Sequence, residues 1–147
     1  MIEIYTDGSC LGNPGNGGWA FVVVQDDGVT SNYDNSYGKT TNNIMELTAV
    51  IRAMQYSEHK SYDNVRIFSD SMYVINGVTS WLAKWRSNGW QSSTGDAVKN
   101  IQLWQELAAL LECSVKFEFE HVKAHSTNFY NNMVDKLARE AAEGINP

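Results

Sequence analysis

The sequence predicts an α/β fold in which helices flank a mixed β-sheet. Three strand-like segments come first and are joined by turn-forming residues, as in a hairpin-connected sheet. Segments with helical periodicity then alternate with two further strand-like segments, which is typical of parallel strands with helices on their faces. The chain has 147 residues, 43% of them apolar, which suffices for one core. We therefore expect a single domain over residues 1–147.

Alternation and turn chemistry predict the first three strands. Apolar and polar side chains alternate over residues 2–7, which indicates a strand. Glycines and an Asn-Pro-Gly sequence make residues 10–18 a predicted turn. The run 19–25 is almost wholly apolar and is typical of a buried strand. The Asp-Gly pair at 27–28 predicts a hairpin that returns as a third strand over 31–38.

The rest of the chain is predicted to alternate between helices and strands. Leu47, Val50, Ile51 and Met54 follow the spacing of one helix face, and Thr41, Asn42 or Asn43 would cap that helix. The remaining predicted elements are a strand at 64–68, a short helix at 72–76 stopped by Gly77, a short helix with Trp81 and Trp85 on one face, a helix with leucines at 103–111, a strand at 114–121 and a last helix bearing Val134, Leu137, Ala138 and Ala141.

Four acidic residues stand at the ends or starts of these elements. Asp7 and Asp70 end the first and fourth predicted strands, Glu46 lies in the first turn of the first long helix, and Asp135 lies near the start of the last helix. Each alone is explained by turn formation or by the helix dipole. Together, at the strand ends where α/β sheets bind ligands, they would need cations such as Mg²⁺ or Mn²⁺. Spacing alone leaves open whether they converge.

Charge, hydropathy and cysteine content restrict the classes of protein to which this chain can belong. The net charge of −6 argues at first sight against binding to nucleic acid, but a metal-dependent nuclease brings its positive charge as ions. No apolar run approaches the roughly 20 residues that span a bilayer, and the N-terminal residues lack a secretory pattern. Two cysteines give neither a disulfide framework nor a zinc spacing. We expect a cytoplasmic monomer without membrane association.

Five blocks of sequence, in order, resemble type 1 ribonuclease H. They are YTDGSC from Tyr5 with GNPG from Gly12, TTNNIMEL from Thr40, SDSMYV from Ser69, VKNIQLW from Val98, and HVKAH from His121 with Asp135 ten residues beyond His125. The length is similar to that of a stand-alone bacterial or phage member. The resemblance implies a ribonuclease H-like fold, a five-stranded mixed sheet in the order 3-2-1-4-5. It also implies hydrolysis of the RNA strand of RNA/DNA hybrids, leaving 5'-phosphate and 3'-hydroxyl ends.

The resemblance also implies the catalytic set. Asp7, Glu46, Asp70 and Asp135 would hold one or two Mg²⁺ ions, with Mn²⁺ as the alternative, and the sequence does not decide between one ion and two. Such ions activate the attacking water and stabilise the leaving oxygen. His125 would assist proton transfer or product release, a role that suits a group titrating near neutral pH.

Two sets of substrate contacts follow from the same resemblance. The residues implied to line the RNA strand, where 2'-hydroxyl groups identify it, are Ser9, Cys10, Asn13, Asn42, Asn43 and Met72. The residues implied to contact the DNA strand are Trp81 and Trp85 in a channel, with Lys39, Thr41 and Asn100 in a phosphate pocket. The stretch 81–91 offers only Lys84 and Arg86 where many bacterial members are strongly basic. We therefore expect hybrid binding with a weak electrostatic component.

Two other functions are compatible with parts of the pattern. One is a hybrid-binding module that has lost catalysis, which the presence of all four carboxylates and of His125 disfavours. The other is a nuclease of related fold that acts on DNA, which the asparagines suited to reading 2'-hydroxyl groups disfavour.

Overall fold

A computed structural model describes residues 1–92, 94–95, 98–124 and 126–144. The strands are β1 (Ile2–Cys10), β2 (Gly15–Gln25), β3 (Gly28–Thr40), β4 (Asn64–Ser69) and β5 (Lys116–His121). The helices are α1 (Asn42–His59), α2 (Met72–Asn76), α3 (Leu82–Ser87), α4 (Ile101–Leu110) and α5 (Phe129–Ala142), and a π-helical segment, Gly77–Trp81, joins α2 to α3. Within the described ranges, no helix is both long and apolar enough to cross a membrane.

The five strands form one mixed sheet in the order β3-β2-β1-β4-β5, which confirms the predicted architecture. β1 pairs antiparallel with β2 and parallel with β4. β2 also pairs antiparallel with β3, and β4 parallel with β5. The parallel β1–β4 pairing places the carboxyl ends of these two strands side by side at one edge of the sheet.

Successive side chains of the central strands divide between two cores. Ile4, Phe21 and Ile67 pack on the face covered by α1 and α4, where Trp104 is fully buried. Their neighbours Tyr5 and Phe68 point to the other face, where α5 packs. Because side chains of a strand alternate between faces, this split follows from the sequence of each strand.

The first two strands come closer together in sequence than predicted. β1 continues to Cys10 and β2 starts at Gly15, so the predicted turn over 10–18 shrinks to four residues. Gly15, Gly17 and Gly18 belong to β2, and a side chain at any of these three positions would collide with neighbouring atoms. A Cβ atom on Gly18 would lie 2.3 Å from the backbone nitrogen of Ala142 at the end of α5.

The predicted carboxylates of two helices lie farther from the start of the helix than predicted. Thr41 caps α1, accepting a hydrogen bond from the Ile44 N–H at 3.2 Å, so Glu46 lies in the second turn and not in the first. Asn128 caps α5 through the Asn131 N–H at 2.9 Å, so Asp135 lies in the second turn of α5. Both caps accept hydrogen bonds from N–H groups of the first helical turn, which have no partner within the helix. This turn precedes the residues whose apolar spacing predicted each helix.

Gly77 does not stop a helix, contrary to the prediction. Its φ of −62° is helical, and the chain continues through the π-helical segment into α3. The missing side chain makes room for Trp104, since a Cβ atom on Gly77 would lie 1.9 Å from Cη2 of that indole. A glycine that serves packing looks, in sequence, like a glycine that ends a helix.

We expect Gly77→Ala to destabilise the protein by about 1 to 3 kcal/mol, because the fully buried Trp104 ring cannot move away from the added methyl group. Urea denaturation would measure the loss. Gly38→Ala is the matched control, since nothing lies within 4 Å of a Cβ atom there. Equal stability of the two variants would contradict this account of Gly77.

Candidate active site

Three carboxylates meet where β1 and β4 stop pairing. The last parallel pair joins Thr6 to Ser69, so Asp7 and Asp70 both follow directly. Glu46 of α1 is the third member, and one carboxylate oxygen of each residue lies within 4.8 Å of the others. Asp7 is not at the end of β1 as predicted, because β1 continues beside β2 to Cys10. It is at the end of the parallel pairing, which is what brings it to Asp70.

Glu46 reaches the strands because α1 approaches β1 unusually closely. A Cβ atom on Gly8 would lie 2.3 Å from the carbonyl carbon of Met45, so only glycine fits at this crossing. The Gly8 N–H donates to Oε1 of Glu46 at 2.6 Å. This hydrogen bond fixes the Glu46 carboxylate beside Asp7, the residue before Gly8 in the strand.

The cluster carries an electrostatic cost in the absence of a cation. Asp7 is only 4% exposed, and burial raises its pKa well above the ordinary value, with the nearby charge of Asp70 adding to the effect. Burial likewise raises the pKa of Glu46 well above its ordinary value, followed by the charges of Asp7 and Asp70. Crowded carboxylates of this kind favour protonation or a bound cation.

Asp135 lies beside this cluster without belonging to the group of oxygens that share 4.8 Å. A hydrogen bond and a charge interaction with Asp135 contribute to the raised pKa of Asp7. On its other side, Asp135 accepts a hydrogen bond at 3.3 Å from Nε of Arg139, one turn along α5. All four predicted carboxylates therefore gather at one edge of the sheet, and one of them is already paired with a cation.

The donor set suits a hard divalent cation. The three clustered ligands are all carboxylate oxygens, which Mg²⁺, Mn²⁺ and Ca²⁺ prefer over softer metals. The charge that the cation would neutralise is concentrated on a half-buried site. The predicted proton-transfer group, His125, lies outside the described residues.

The residues predicted to line the RNA strand surround the start of α1 and the end of β1. Asn13 accepts a hydrogen bond from the Asn42 N–H at 3.0 Å, which ties the β1–β2 turn to α1. The thiol of Cys10 donates to the carbonyl oxygens of Thr40 at 3.3 Å and Gly15 at 3.5 Å. Asn13, Asn42, Asn43 and the half-exposed Met72 face solvent, while Ser9 and Cys10 are half-buried.

The tryptophans predicted for the DNA strand stand in a chain of rings. Trp81 ends the π-helical segment and Trp85 lies in α3, so they do not share one helix as predicted, yet their centroids are 5.9 Å apart. Trp85 also contacts Trp104 at 5.3 Å and Trp90 at 6.3 Å. Trp81 and Trp85 line a groove of about 430 Å³ together with Lys84, Asn88, Gln91 and Ser92.

The three residues of the predicted phosphate pocket belong to three different elements of the chain. Lys39 is exposed near the end of β3, and the Thr41 hydroxyl is already an acceptor as the cap of α1, which leaves its proton free to donate. Asn100 precedes α4 and donates through Nδ2 to the hydroxyl of Tyr73 at 3.1 Å. Tyr73 was not among the predicted site residues, although it stands next to Met72 in one of the matched blocks.

Comparisons with known proteins agree with this geometry. The sequence model of the RNase H family matches residues 1–143. A Ribonuclease H of Wolbachia sp. subsp. Drosophila simulans (strain wRi) is 43% identical over 140 residues, covering 95% of this chain and 94% of that protein. A Ribonuclease H of Anaplasma marginale (strain St. Maries) is 46% identical over 142 residues, covering 97% and 90%.

A solved structure gives the same result. LC9-RNase H1, described as a type 1 RNase H with the type 2 active-site motif, superposes with a TM-score of 0.85 at 30% identity and covers 99% of this chain and 73% of that one. The resemblance drawn from five sequence blocks is confirmed. The carboxylate cluster stands on the fold of a nuclease family that depends on divalent metals, and this chain belongs to the RNase H family.

Proposed function

We propose that this chain is an endonuclease that hydrolyses the RNA strand of RNA/DNA hybrids and leaves 5'-phosphate and 3'-hydroxyl ends. The observation that carries the proposal is the meeting of Asp7, Glu46 and Asp70 within 4.8 Å, at the rim of a fold whose family is defined by this activity. We take residues 1–147 as one domain of this kind. The free thiols of Cys10 and Cys113 suit a reducing cytoplasm, and we propose a monomer.

Mg²⁺ is the cofactor that we propose, with Mn²⁺ as its alternative. Asp7, Glu46 and Asp70 would hold one ion, and Asp135 would join Asp7 in holding a second. Divalent ions bound there supply a water of lowered pKa and stabilise the charge on the leaving oxygen. The Gly8 N–H keeps the Glu46 carboxylate in place before any ion arrives, and Arg139 holds Asp135.

The remaining roles fall to residues that bind and orient the hybrid. Ser9, Cys10, Asn13, Asn42, Asn43 and Met72 would contact the RNA strand, where short polar groups can read 2'-hydroxyl groups. Trp81 and Trp85 would contact the DNA strand through their groove, and Lys39, Thr41 and Asn100 would hold one of its phosphates. His125 would move a proton at the attacking or leaving oxygen, or assist release of the product.

We expect the protein to cleave only the RNA strand of a labelled RNA/DNA hybrid in Mg²⁺ buffer, and a chelator to abolish cleavage. Gel analysis of the products beside RNA/RNA and DNA/DNA duplexes would test both statements. Cleavage of the DNA duplex at a comparable rate would indicate a DNA nuclease of related fold. Tight binding of the hybrid without cleavage would indicate a binding module.

We expect Asp7→Asn to lower kcat by at least about a thousandfold, because it removes the charge that interacts with all three of the other carboxylates. His125→Ala should slow turnover less, since water can replace an auxiliary proton carrier. Single-turnover cleavage rates would compare the two. Equal loss in both variants would contradict the auxiliary role of His125, and retained Mg²⁺-dependent cleavage by Asp7→Asn would contradict the role of Asp7.

The stability of the metal-free protein should fall as pH rises. A carboxyl group whose pKa is raised in the folded state stabilises that state fully below its ordinary pKa, and the contribution is lost as pH rises through the raised value. Asp7 and Glu46 both behave in this way. Asp7→Asn should therefore be more stable than the wild type at pH 7 in chelator, by at least about 1 kcal/mol.

Urea denaturation in chelator between about pH 5.5 and 8 would measure this difference. Adding Mg²⁺ should raise the stability of the wild type and change Asp7→Asn much less, because a cation offsets the repulsion only where the charges are present. A metal-free wild type more stable than Asp7→Asn at pH 7 would refute the electrostatic account.

Hybrid binding should depend only weakly on salt, because Arg86 is neutralised. Its guanidinium forms an ion pair with Glu112 at 2.6 Å, whereas Lys84 at the tryptophan groove has no ion pair among the residues that the structure describes. We expect a log–log slope of affinity against salt shallower than about −4, from the few lysines near the groove and the phosphate pocket. Fluorescence anisotropy with the Asp7→Asn variant would measure the slope without cleavage.

Releasing Arg86 should steepen that slope. Glu112→Gln removes the partner of Arg86, and we expect one further phosphate contact, a change of about −0.9 in the slope. Glu118→Gln is the control, since it frees Arg66 on the β4–β5 surface away from the groove. A wild-type slope as steep as that of a strongly basic relative would contradict the prediction.

A further inference from the structure

A groove of about 380 Å³ runs along the side of α1, between that helix and the end of β3. From α1 it is lined by Ile44, Thr48 and Arg52, which lie one turn apart, and from β3 it is lined by Lys39. Lys39 also belongs to the predicted phosphate pocket, together with Thr41, the cap of α1. This groove, the α1–β3 groove, therefore starts at that pocket and continues away from it along the helix.

The charge of the α1–β3 groove is opposite in sign to that of the whole chain. Two cations, Lys39 and Arg52, and one acid, Asp34, line it, whereas the net charge of the chain is −6. Neither cation forms an ion pair within the described part of the chain. Asp34 is engaged locally, because it accepts hydrogen bonds from the Tyr37 hydroxyl at 2.6 Å and from the Asn35 N–H at 2.8 Å. The groove therefore suits a ligand that carries negative charge.

Arg52 is preorganised while its donors stay free. Its guanidinium lies over the Trp19 ring, 5.6 Å from the ring centroid. Trp19 is itself stacked on Phe21, with the two ring planes 9° apart. A guanidinium stacked in this way keeps its N–H groups directed outward in its own plane, where they can donate to a phosphate. Because the side chain is already ordered, it loses little freedom when it binds one.

A bulge in β3 presents an aromatic ring at the same groove. β3 pairs with β2 up to Asn35 and again at Lys39, so the three residues between them lie opposite the single residue Gly17. The middle residue of the three, Tyr37, has a left-handed φ of 55° and is 82% exposed. Its N–H donates to Oδ1 of Asn35 at 2.7 Å and its hydroxyl to Asp34. Such strained positions cluster at functional sites, and a ring held at both ends offers a fixed face for stacking.

These features match what an unpaired DNA strand requires. Grooves for single strands combine cations that contact the backbone with aromatic rings on which bases stack. The bases of a duplex are stacked on one another, so only an unpaired strand has a base free to stack on Tyr37. From Thr41 to Arg52 the helix rises about 16 Å, a distance that about four nucleotides of one strand span.

We propose that the α1–β3 groove binds the DNA strand where it continues, unpaired, beyond the end of the hybrid. Tyr37 stacks on a base of this overhang, and Arg52 holds one of its phosphates. The inference rests on the proposed function, in which Lys39 and Thr41 hold a phosphate of the DNA strand at the head of the groove. It adds a substrate class, hybrids that end in single-stranded DNA, which the carboxylate cluster itself does not select.

Fluorescence anisotropy in the Asp7→Asn background measures this binding without cleavage. The substrates are a short blunt hybrid, the same hybrid with a DNA overhang of about six nucleotides at either end, with an RNA overhang, or with the DNA extension paired to RNA. One of the two DNA overhangs should tighten binding about tenfold over the blunt hybrid, the effect of one stacked base and one phosphate contact. The RNA overhang and the paired extension should add much less.

Tyr37→Ala and Arg52→Ala should each remove most of that gain and leave binding of the blunt hybrid unchanged. In the protein with Asp7 intact, neither should change cleavage of the blunt hybrid. Tyr37→Phe should keep most of the gain, because the stacking ring remains. Arg66→Ala is the matched control, since it removes the same charge from β4, away from the groove. Thermal denaturation would verify that each variant is folded.

Cross-linking gives an independent readout. 5-Iodouracil placed at successive positions of the overhang forms a bond on irradiation with an aromatic ring that stacks on it. Cross-linking should peak at one position and disappear in Tyr37→Ala. Cross-links of equal yield in that variant would contradict the stacking role of Tyr37.

Three results would overturn the proposal: no gain from either DNA overhang, an equal gain from the paired extension, or a gain that survives both alanine variants. Tighter binding of a glutamate-rich peptide than of the overhang would indicate an acidic protein partner and would also overturn it. Failure of the wild type to cleave the blunt hybrid would instead overturn the proposed function, because binding of the overhang is measured separately.

Discussion

Mutual repulsion of Asp7, Glu46 and Asp70 is the constraint around which the molecule is arranged. Their oxygens lie within 4.8 Å in a half-buried place, where burial raises the pKa of Asp7 and Glu46. When they are ionised, the three side chains repel one another in the absence of a cation. The backbone enforces their proximity, through the parallel pairing of β1 with β4 and the close crossing of α1 over Gly8. The site is therefore preorganised by the fold, and the cation is left to supply the compensating charge.

The acidic groups of the site and of the surface decide how the positively charged side chains of this protein are engaged. All four arginines are engaged within the chain: Arg66, Arg86 and Arg139 pair with carboxylates, and Arg52 lies over the Trp19 ring at 5.6 Å. In the proposed function, contact with the phosphates of the hybrid would then fall to lysines, which act as point charges, and to neutral amides and hydroxyls. Phosphate binding by a surface of this kind would depend on geometry more than on charge. The orientation of a single amide, such as that of Asn100, would then matter more for binding.

Several elements were predictable from local pattern, because each buries one side in a regular period. The alternation in β1 and the helical spacing in α1 gave the correct elements. Some of the errors fell at glycines. Gly17 and Gly18 look like part of a turn and Gly77 like a helix stop, but each accommodates a neighbour that comes from a distant part of the chain. A glycine in the sequence indicates that space is needed at its position, but it does not indicate which neighbouring group needs that space.

The sequence by itself determined the identity of the acidic residues, the family, and the class of fold, because motifs and periodicity are local properties. Only the tertiary structure decided that three of the carboxylates share one cation-sized space. It also decided that Arg86 is neutralised and that Asn100 donates to Tyr73. These facts depend on side chains 26 or 27 residues apart meeting in space, and no periodicity in the chain encodes such a meeting.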